Sequence, residues 1–203
     1  RSGNPLVEIV TEPELTSPDE ARDFMKQLIT ILDYLEIFDV NTGIIKADAN
    51  VSIKESDYTR VEIKNITGFK EIESALNYEV TRQKEEVKHH KQIHQETRAW
   101  DSERGITFSL RKKETEEDYG YIIDTDLTAV EITDKWVNEI KKQMPELAQD
   151  KVKKFVDKFK IKKDDAEIIA ADPQLAEMFE KVSGKVDSNL AAKWLRKELL
   201  RVL

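Results

Sequence analysis

The chain has 203 residues, a net charge of −8 and no cysteine, which excludes disulfides and thiolate metal sites and disfavours polyanion binding over the whole surface. No run of residues approaches the 18 or so apolar residues that a membrane-spanning helix needs, and this composition is typical of a cytoplasmic protein. The length suffices for one large domain or two smaller ones.

The charge divides unevenly along the chain. Residues 1–132 hold 17 Lys and Arg against 28 Asp and Glu, whereas residues 133–203 hold 16 against 13. The local pattern also changes from alternating strands to short helices near Thr133. We therefore predict two domains, residues 1–132 and residues 133–203.

The N-terminal part begins with an apolar stretch, residues 5–11, which predicts a strand. Ser17 and Pro18 then favour the start of a helix, because Ser is a good N-cap and Pro suits the first helical position. Glu20 completes a capping box.

Two alternating segments follow, residues 45–53 and residues 60–66. Because successive strand side chains point to opposite faces, each segment predicts a strand with one polar and one apolar face. The polar set predicted from this spacing is Asp48, Asn50, Ser52, Arg60, Glu62 and Lys64. The polar stretch between the segments predicts that they pair as a hairpin.

The remaining elements complete an α+β chain. A long charged helix is predicted over about 70–90, followed by a hairpin of residues 96–101 and 106–111. Beyond Thr133, which suits a helix N-cap, helical spacing and the breaks at Pro145, Asp172-Pro173 and Gly184 predict helices alone. Their predicted spans after the first are 148–160, 164–171, 174–182 and 188–203.

The polar strand face is a candidate magnesium site. Asp48 and Asn50 share it, and we expect Glu8 and Glu12 to lie near them. Mg²⁺ prefers such oxygen ligands, completed by water and substrate phosphates. Lys64 with Asn65 could meet a phosphate. The alternative is an ordinary solvated strand face, since antiparallel sheets commonly expose one polar side.

A lysine-rich segment lies between Lys151 and Lys163 and interleaves seven lysines with Val152, Phe155, Val156 and Phe159. One interpretation is an amphipathic helix with a solvated basic face. The other is a set of phosphate contacts to RNA, which would position the RNA without reading its sequence.

Five motifs in fixed order resemble the B and E subunits of tRNA-dependent amidotransferases. They are Arg1-Ser2-Gly3-Asn4-Pro5-Leu6-Val7-Glu8-Ile9-Val10-Thr11-Glu12-Pro13-Glu14, Asp48-Ala49-Asn50-Val51-Ser52, Val61-Glu62-Ile63-Lys64-Asn65, Gln95-Glu96-Thr97-Arg98-Ala99-Trp100-Asp101, and residues 117–127 with Tyr119-Gly120-Tyr121 and Asp124-Thr125-Asp126-Leu127. Gly120 stands where the family has Arg, and Ile123-Asp124-Thr125 stands where it has Pro-Glu-Pro, as in an archaeal-type subunit. The match covers residues 1–132 and, less specifically, the helical remainder.

The resemblance implies part of an antiparallel-sheet cradle domain followed by part of an all-helical domain. It implies a ligase subunit that uses ATP and Mg²⁺ to phosphorylate the side-chain carboxylate of Glu-tRNA(Gln) or Asp-tRNA(Asn). Ammonia from the amidase A subunit then displaces the phosphate, within a cytoplasmic heterotrimer that includes a small C subunit. Neither a membrane nor DNA is an expected partner.

The family's site residues can be placed on matching positions. The resemblance implies metal ligation by Glu8 and Asp48 with Glu12 in support, and a catalytic role for Glu8, Asp48 and Lys64. Nucleotide or substrate contacts are implied for Arg1, Asn50, Lys64 and Asn65.

The resemblance also implies that the chain is an internal part of the subunit, because family members have an N-terminal portion with further metal ligands and a C-terminal helical tail. Two alternatives stay open at this point. One is the archaeal E subunit, which carries an inserted domain where this chain passes directly from Asp126-Leu127 to Thr133. The other is a tRNA-binding or assembly module without chemistry of its own.

Overall fold

The structure is a computed structural model that describes residues 6–39, 43–112, 126–199 and 201. The chain divides into two compact units. The first, here called the sheet unit, comprises Arg1–Met25 and Ile45–Glu114; the second, the helical unit, comprises Lys26–Ile44 and Thr115–Leu203. Helix α1, Pro18–Tyr34, contributes residues to both units.

The sheet unit contains a four-stranded sheet in the order β1-β2-β3-β4. Its elements are β1 Lys46–Val51, β2 Val61–Thr67, helix α2 Phe69–Lys88, β3 Glu96–Asp101 and β4 Ile106–Lys112. Strands β1 and β2 are antiparallel, as are β3 and β4, whereas β2 and β3 run parallel. A parallel pair needs a long crossover, which α2 provides. The predicted α+β class is confirmed, with a mixed sheet in place of a wholly antiparallel one.

One face of the sheet forms the core of this unit. Val61, Ile63 and Ile66 of β2 are fully buried, and Ile72 and Ala75 of α2 are buried as well. Helix α2 packs along β1, β2 and β4. On β1 and β2 the apolar half of the alternating pattern therefore faces the helix, and the polar half is left on the opposite side. On β3 and β4, by contrast, Arg98 and Thr107 lie on the helix side.

A buried carboxylate fastens α2 to the strands. Glu79 has no exposed surface and accepts hydrogen bonds from Arg82 (2.6 and 3.0 Å), Gln83 (3.0 Å) and Thr107 (2.8 Å). The guanidinium of Arg98 donates in turn to the Thr107 hydroxyl at 2.9 Å. A buried charge is tolerated where it is paired and hydrogen-bonded, and this set of contacts satisfies that condition across three elements.

The helical unit contains five further helices within the described residues. They are α3 Asp134–Gln143, α4 Ala148–Asp157, α5 Lys163–Ala170, α6 Pro173–Ser183 and α7 Ser188–Trp194, the last continuing as a π-helical turn over Leu195–Leu199. Phe155, Phe159 and Phe179 form an edge-to-face aromatic cluster with ring centroids 4.7 to 6.0 Å apart. The Tyr34 hydroxyl donates to the Ala170 carbonyl at 2.9 Å, which fastens the end of α1 to this core.

Side-chain caps begin α3, α6 and α7, whereas α4 and α5 begin without one. Thr133 accepts from the backbone N–H of Trp136 at 3.3 Å, as its position before an apolar helical pattern predicts. Asp172 caps α6 in the same way, with Pro173 at the first helical position. At the start of α1, Ser17 accepts from the Glu20 N–H, while the Glu20 carboxylate accepts from Thr16 instead of closing the box on Ser17.

The predicted strand over residues 5–11 is wrong for its described part. Residues 6–11 have no regular secondary structure and take no place in the four-stranded sheet. Leu6 and Val10 are 92% and 84% exposed. Apolar alternation favours a strand only where a neighbouring strand supplies the hydrogen-bonding ladder, and the described residues supply none to this segment.

No helix among the described residues is long and apolar enough to cross a membrane. The predicted domain boundary near residue 132 stays a prediction, and so does any role of residues 113–125, which lie outside the described residues.

The ion pairs around β3 predict an acid-sensitive stability. Burial acts to raise the pKa of Glu96, but hydrogen bonds from Ser109 and Arg98, with the charges of Arg98 and Arg82, outweigh it and lower the pKa. A lowered folded-state pKa stabilises the protein above the ordinary value of 4.5, and that stabilisation disappears as the pH falls through the folded value. Glu96→Gln should therefore unfold more easily than the wild type in urea at pH 7, with a gap that narrows below pH 4.5.

The matched control for this measurement is Glu85→Gln, which removes an exposed carboxylate from α2. A wild-type-like unfolding curve is expected for the control at every pH. A gap between Glu96→Gln and wild type that stays constant down to pH 3 would contradict the assignment.

Candidate functional site: a charged face of the sheet

The side of the sheet opposite α2 carries a compact set of polar side chains, here called the charged face. Its members are Asp48, Asn50, Glu62, Lys64 and Thr97. Asn50 pairs in register with Glu62, and Glu62 with Thr97, so the set crosses three adjacent strands. The predicted polar alternation of β1 is confirmed, since Asp48 and Asn50 are exposed while Ala49 and Val51 are buried.

A β-bulge in β2 shapes this face. Ala47 pairs with Ile66 and Ala49 pairs with Ile63, so Asp48 alone lies opposite two residues, Lys64 and Asn65. Asn65 adopts a left-handed backbone conformation with φ 66°. Asn tolerates this conformation better than most residues, and a bulge with one left-handed residue bends and twists the strand locally.

The bulge also resolves a conflict in the sequence pattern. Strict alternation from Glu62 and Lys64 would put Ile66 on the polar face and Asn65 in the core. The extra residue shifts the phase, so Ile66 is fully buried and Asn65 is exposed. The same feature therefore completes the core and places Lys64 opposite Asp48.

Lys64 is the positive centre of the charged face. Its ammonium lies 2.7 Å from Asp48 Oδ2 and 3.4 Å from Glu62 Oε1. The hydrogen bond to Asp48 raises the pKa of Lys64, against the opposing effect of partial burial, and the charges of Asp48 and Glu62 add to the rise. The lysine is therefore a cation at neutral pH. Because both partners are partly exposed, pairs of this kind contribute only about 0–1 kcal/mol to stability. The main effect of the pair is to hold the positive charge of Lys64 on the charged face, next to Asp48.

Glu62 is oriented by a residue of the neighbouring strand, β3. The hydroxyl of Thr97 donates to Glu62 Oε2 at 3.0 Å, while the other oxygen, Oε1, faces Lys64. Thr97 is only 2% exposed. The two oxygens of one carboxylate thus have separate partners, which fixes its orientation.

The structure brings together some of the predicted site residues. Asp48, Asn50 and Lys64 share the charged face, with Asn65 beside them at the bulge. Glu8 and Glu12 lie on the exposed N-terminal segment that has no regular secondary structure. Arg1 lies outside the described residues.

No group of three or more His, Asp or Glu side chains within the described residues is arranged to hold a metal ion. The metal roles of Glu8, Glu12 and Asp48 therefore stay predictions. The donor chemistry does fit Mg²⁺ in kind, because Asp48 offers a carboxylate and Asn50 an amide oxygen on one strand face. Mg²⁺ commonly takes one or two carboxylates and completes its shell with water and phosphate oxygens.

Sequence reasoning missed the parts played by Glu62 and Thr97. Glu62 was placed on the polar face by alternation, but its bond to Thr97 depends on the parallel pairing of β2 with β3, which alternation does not reveal. Thr97 and Arg98 belong to one short motif, Gln95–Asp101, and lie on opposite sides of the sheet. The indicative signal was a Thr flanked by two charged residues, Glu96 and Arg98, within the predicted strand over residues 96–101.

The lysine-rich segment of the helical unit is divided between two roles. Lys151 and Lys154 pair with Glu180 at 3.1 and 2.9 Å, and Lys154 also pairs with Glu146 at 2.7 Å. These contacts raise the pKa of Lys154 and, against the effect of burial, lower that of Glu180. The other lysines of the segment are exposed; they are Lys153, Lys158, Lys160, Lys162 and Lys163.

Comparison with known proteins identifies relatives along the full chain. Residues 1–138 match the family model described as the GatB/GatE catalytic domain. The chain is 43% identical to the B subunits of the aspartyl/glutamyl-tRNA(Asn/Gln) amidotransferases of Methanothermobacter thermautotrophicus and Methanocaldococcus jannaschii. It is 42% identical to the corresponding protein of Thermodesulfovibrio yellowstonii. Each comparison covers 100% of this chain and 44% of the relative, so the chain spans less than half the length of these proteins.

The bulge predicts a specific sensitivity at Asn65. Asn65→Gly should retain wild-type stability, because Gly adopts positive φ without steric cost. Asn65→Val should lower the free energy of unfolding by about 1–3 kcal/mol, the cost of forcing a branched side chain into a left-handed conformation. Urea denaturation at pH 7 measures both.

Asn50→Val is the matched control, since it makes the same change on an ordinary strand residue of the same face. Equal stability losses for Asn65→Val and Asn50→Val would show that the backbone conformation at Asn65 is not the cause.

Proposed function

Because the chain belongs to the GatB/GatE catalytic domain family, we propose that its charged face takes part in ATP-dependent activation of a tRNA-linked carboxylate. The substrates would be Glu-tRNA(Gln) and Asp-tRNA(Asn), and the products Gln-tRNA and Asn-tRNA. The observation that carries the proposal is the Lys64 ammonium, held 2.7 Å from Asp48 on an exposed sheet face.

The chemistry explains why a face of this kind suits the reaction. An oxygen of the side-chain carboxylate attacks the γ-phosphorus of ATP, and ADP leaves. Ammonia then adds to the carbonyl carbon of the acyl phosphate and inorganic phosphate departs with the bridging oxygen. A carboxylate oxygen is a poor leaving group until it is phosphorylated, so activation must precede amide formation.

The residues of this chain would serve mainly to bind and to neutralise charge. Lys64 would stabilise the negative charge that develops on the transferred phosphoryl group, as positioned cations do in phosphoryl transfer. Asp48, with Glu8 and Glu12, would hold Mg²⁺, which when bound neutralises phosphate charge. Arg1, Asn50 and Asn65 would contact the nucleotide or the substrate.

The proposed partners are the misacylated tRNA, the amidase A subunit that releases ammonia from glutamine, and the small C subunit. Support comes from the relatives, which are named as B subunits of an amidotransferase acting on aspartyl- and glutamyl-tRNA. The same relatives favour the B subunit over the E subunit, which carries the same catalytic domain.

A second candidate function is tRNA binding or assembly without chemistry. The observation that favours it is the set of exposed lysines between Lys153 and Lys163 in the helical unit. Such a set would contact phosphates without reading sequence. The two functions are compatible in one subunit, but they predict different outcomes for substitutions on the charged face.

The discriminating experiment uses the full-length subunit reconstituted with its amidase partners. Asp48→Ala and Lys64→Met should each lower ATP-dependent Gln-tRNA formation by about 100-fold or more, the scale expected for loss of a preorganised charge in a transition state. Glutamine hydrolysis and tRNA binding should be retained. Formation of Gln-tRNA from Glu-tRNA(Gln) is followed with radiolabelled glutamate.

Lys84→Met is the matched control, because it removes an exposed lysine from α2, which packs on the other side of the sheet. Wild-type activity is expected for it. Wild-type activity of Asp48→Ala and Lys64→Met would instead assign the sheet unit to a scaffold, and the binding function would then stand alone.

A further inference from the structure

Two carboxylates share the Lys64 ammonium, and they differ in how firmly they are held. The Asp48 side chain is 51% exposed, while that of Glu62 is 21% exposed and is tied to Thr97 by a 3.0 Å hydrogen bond. Asp48 is nearer to Lys64, at 2.7 Å against 3.4 Å for Glu62. Asp48 is thus the closer partner, and Glu62 is the less exposed one and has a second partner in Thr97.

This difference has a consequence for any cation that binds Asp48. An arriving cation competes with Lys64 for the same carboxylate, because two positive charges at one oxygen repel each other. Lysine carries its charge on a flexible four-carbon stem, so an ammonium that loses its partner is free to move into solvent. A second carboxylate within reach retains the ammonium on the charged face.

Glu62 has the geometry for this retaining role. Its Oε1 faces Lys64, and its Oε2 accepts the hydrogen bond from the nearly buried Thr97 hydroxyl. The parallel pairing of β2 with β3 places Glu62 and Thr97 side by side on adjacent strands. Because the Glu62 carboxylate is oriented in this way, it attracts the Lys64 ammonium toward one fixed position on the charged face.

We propose that Glu62 and Thr97 are positioning residues, which keep the Lys64 ammonium on the charged face when Asp48 engages another cation. Thr97 orients Glu62, and Glu62 retains Lys64. This inference rests on the proposed function, since it concerns the lysine assigned there to the phosphoryl group. It adds a role for the Thr of the Gln95–Asp101 motif.

The experiment compares kcat and KM of the reconstituted, full-length enzyme for four variants. Glu62→Gln keeps an acceptor for Thr97 but removes the charge that attracts Lys64. Thr97→Val keeps the shape of the side chain but removes the hydroxyl, and Thr97→Ser keeps the hydroxyl. Glu85→Gln is the matched control, because it removes a carboxylate near an exposed lysine, Lys88, on α2.

The expected result is a loss confined to kcat. Glu62→Gln and Thr97→Val should each lower kcat by about 10-fold or more, since a misplaced catalytic group costs rate even when substrates still bind. KM for Glu-tRNA(Gln), thermal stability and glutamine hydrolysis should stay at wild-type values. Thr97→Ser should restore kcat to near the wild-type value.

A double substitution tests whether the two residues act through one chain of contacts. The combined Glu62→Gln and Thr97→Val enzyme should be no slower than Glu62→Gln alone, because Thr97 acts only through Glu62. Fully multiplicative losses would overturn this order of action.

The outcomes also separate this inference from the proposed function. Loss of activity in Lys64→Met with wild-type kcat in Glu62→Gln and Thr97→Val would overturn the positioning role and leave the function intact. Wild-type activity in Lys64→Met would overturn the function. A parallel fall in kcat and thermal stability, not rescued by Thr97→Ser, would show that Thr97 has a structural role only.

Discussion

The left-handed backbone at Asn65 is the constraint on which the candidate site depends. Because β2 contains one extra residue opposite Asp48, the strand keeps Ile66 in the core and still presents Lys64 on the polar side. Without that shift, strict alternation would place the Asn65 amide in the core and Ile66 on the polar face. Sheets often contain a bulge where a side chain must be directed to a functional position, and here the directed side chain is a lysine.

The opposite side of the sheet explains how the strands stay in place. Glu79 on α2 collects donors from its own helix and from Thr107 of β4, and Arg98 of β3 bonds to that same threonine. Trp100 of β3 also donates to Glu71 of α2 at 2.6 Å. Breaking such a buried, hydrogen-bonded arrangement lowers stability strongly, because it leaves a buried charge without a partner or water. The motif Gln95–Asp101 therefore contributes side chains to both sides of the sheet, because successive strand residues point to opposite faces.

Local patterns in the sequence predicted most of the elements. The hairpin over 96–101 and 106–111 corresponds to β3 and β4, and the helix over 70–90 corresponds to α2 at Phe69–Lys88. The predicted N-cap at Thr133 and the predicted break at Asp172-Pro173 located helix starts, because such residues act on neighbouring backbone groups. These features depend on contacts a few residues apart.

Features that depend on distant residues were not predicted. The parallel pairing of β2 with β3, and hence the Thr97–Glu62 bond, connects residues 35 positions apart. The bulge arises because packing Ile66 in the core conflicts with strict alternation along β2. A periodicity analysis considers the alternation alone and therefore does not predict the bulge. The expected strand over residues 5–11 was wrong because a pattern shows what a segment would favour, without showing whether a partner strand adjoins it.

The measurement that tests the central claim most directly follows an oxygen atom. Glu-tRNA(Gln) labelled with ¹⁸O in its side-chain carboxylate is supplied, with ATP and glutamine, to the complete enzyme in its wild-type form or carrying Lys64→Met. The account predicts one ¹⁸O in the inorganic phosphate for each amide formed by the wild type, and loss of both labelled phosphate and amide in Lys64→Met. Unlabelled phosphate at the rate of amide formation, or labelled phosphate undiminished in Lys64→Met, would contradict it.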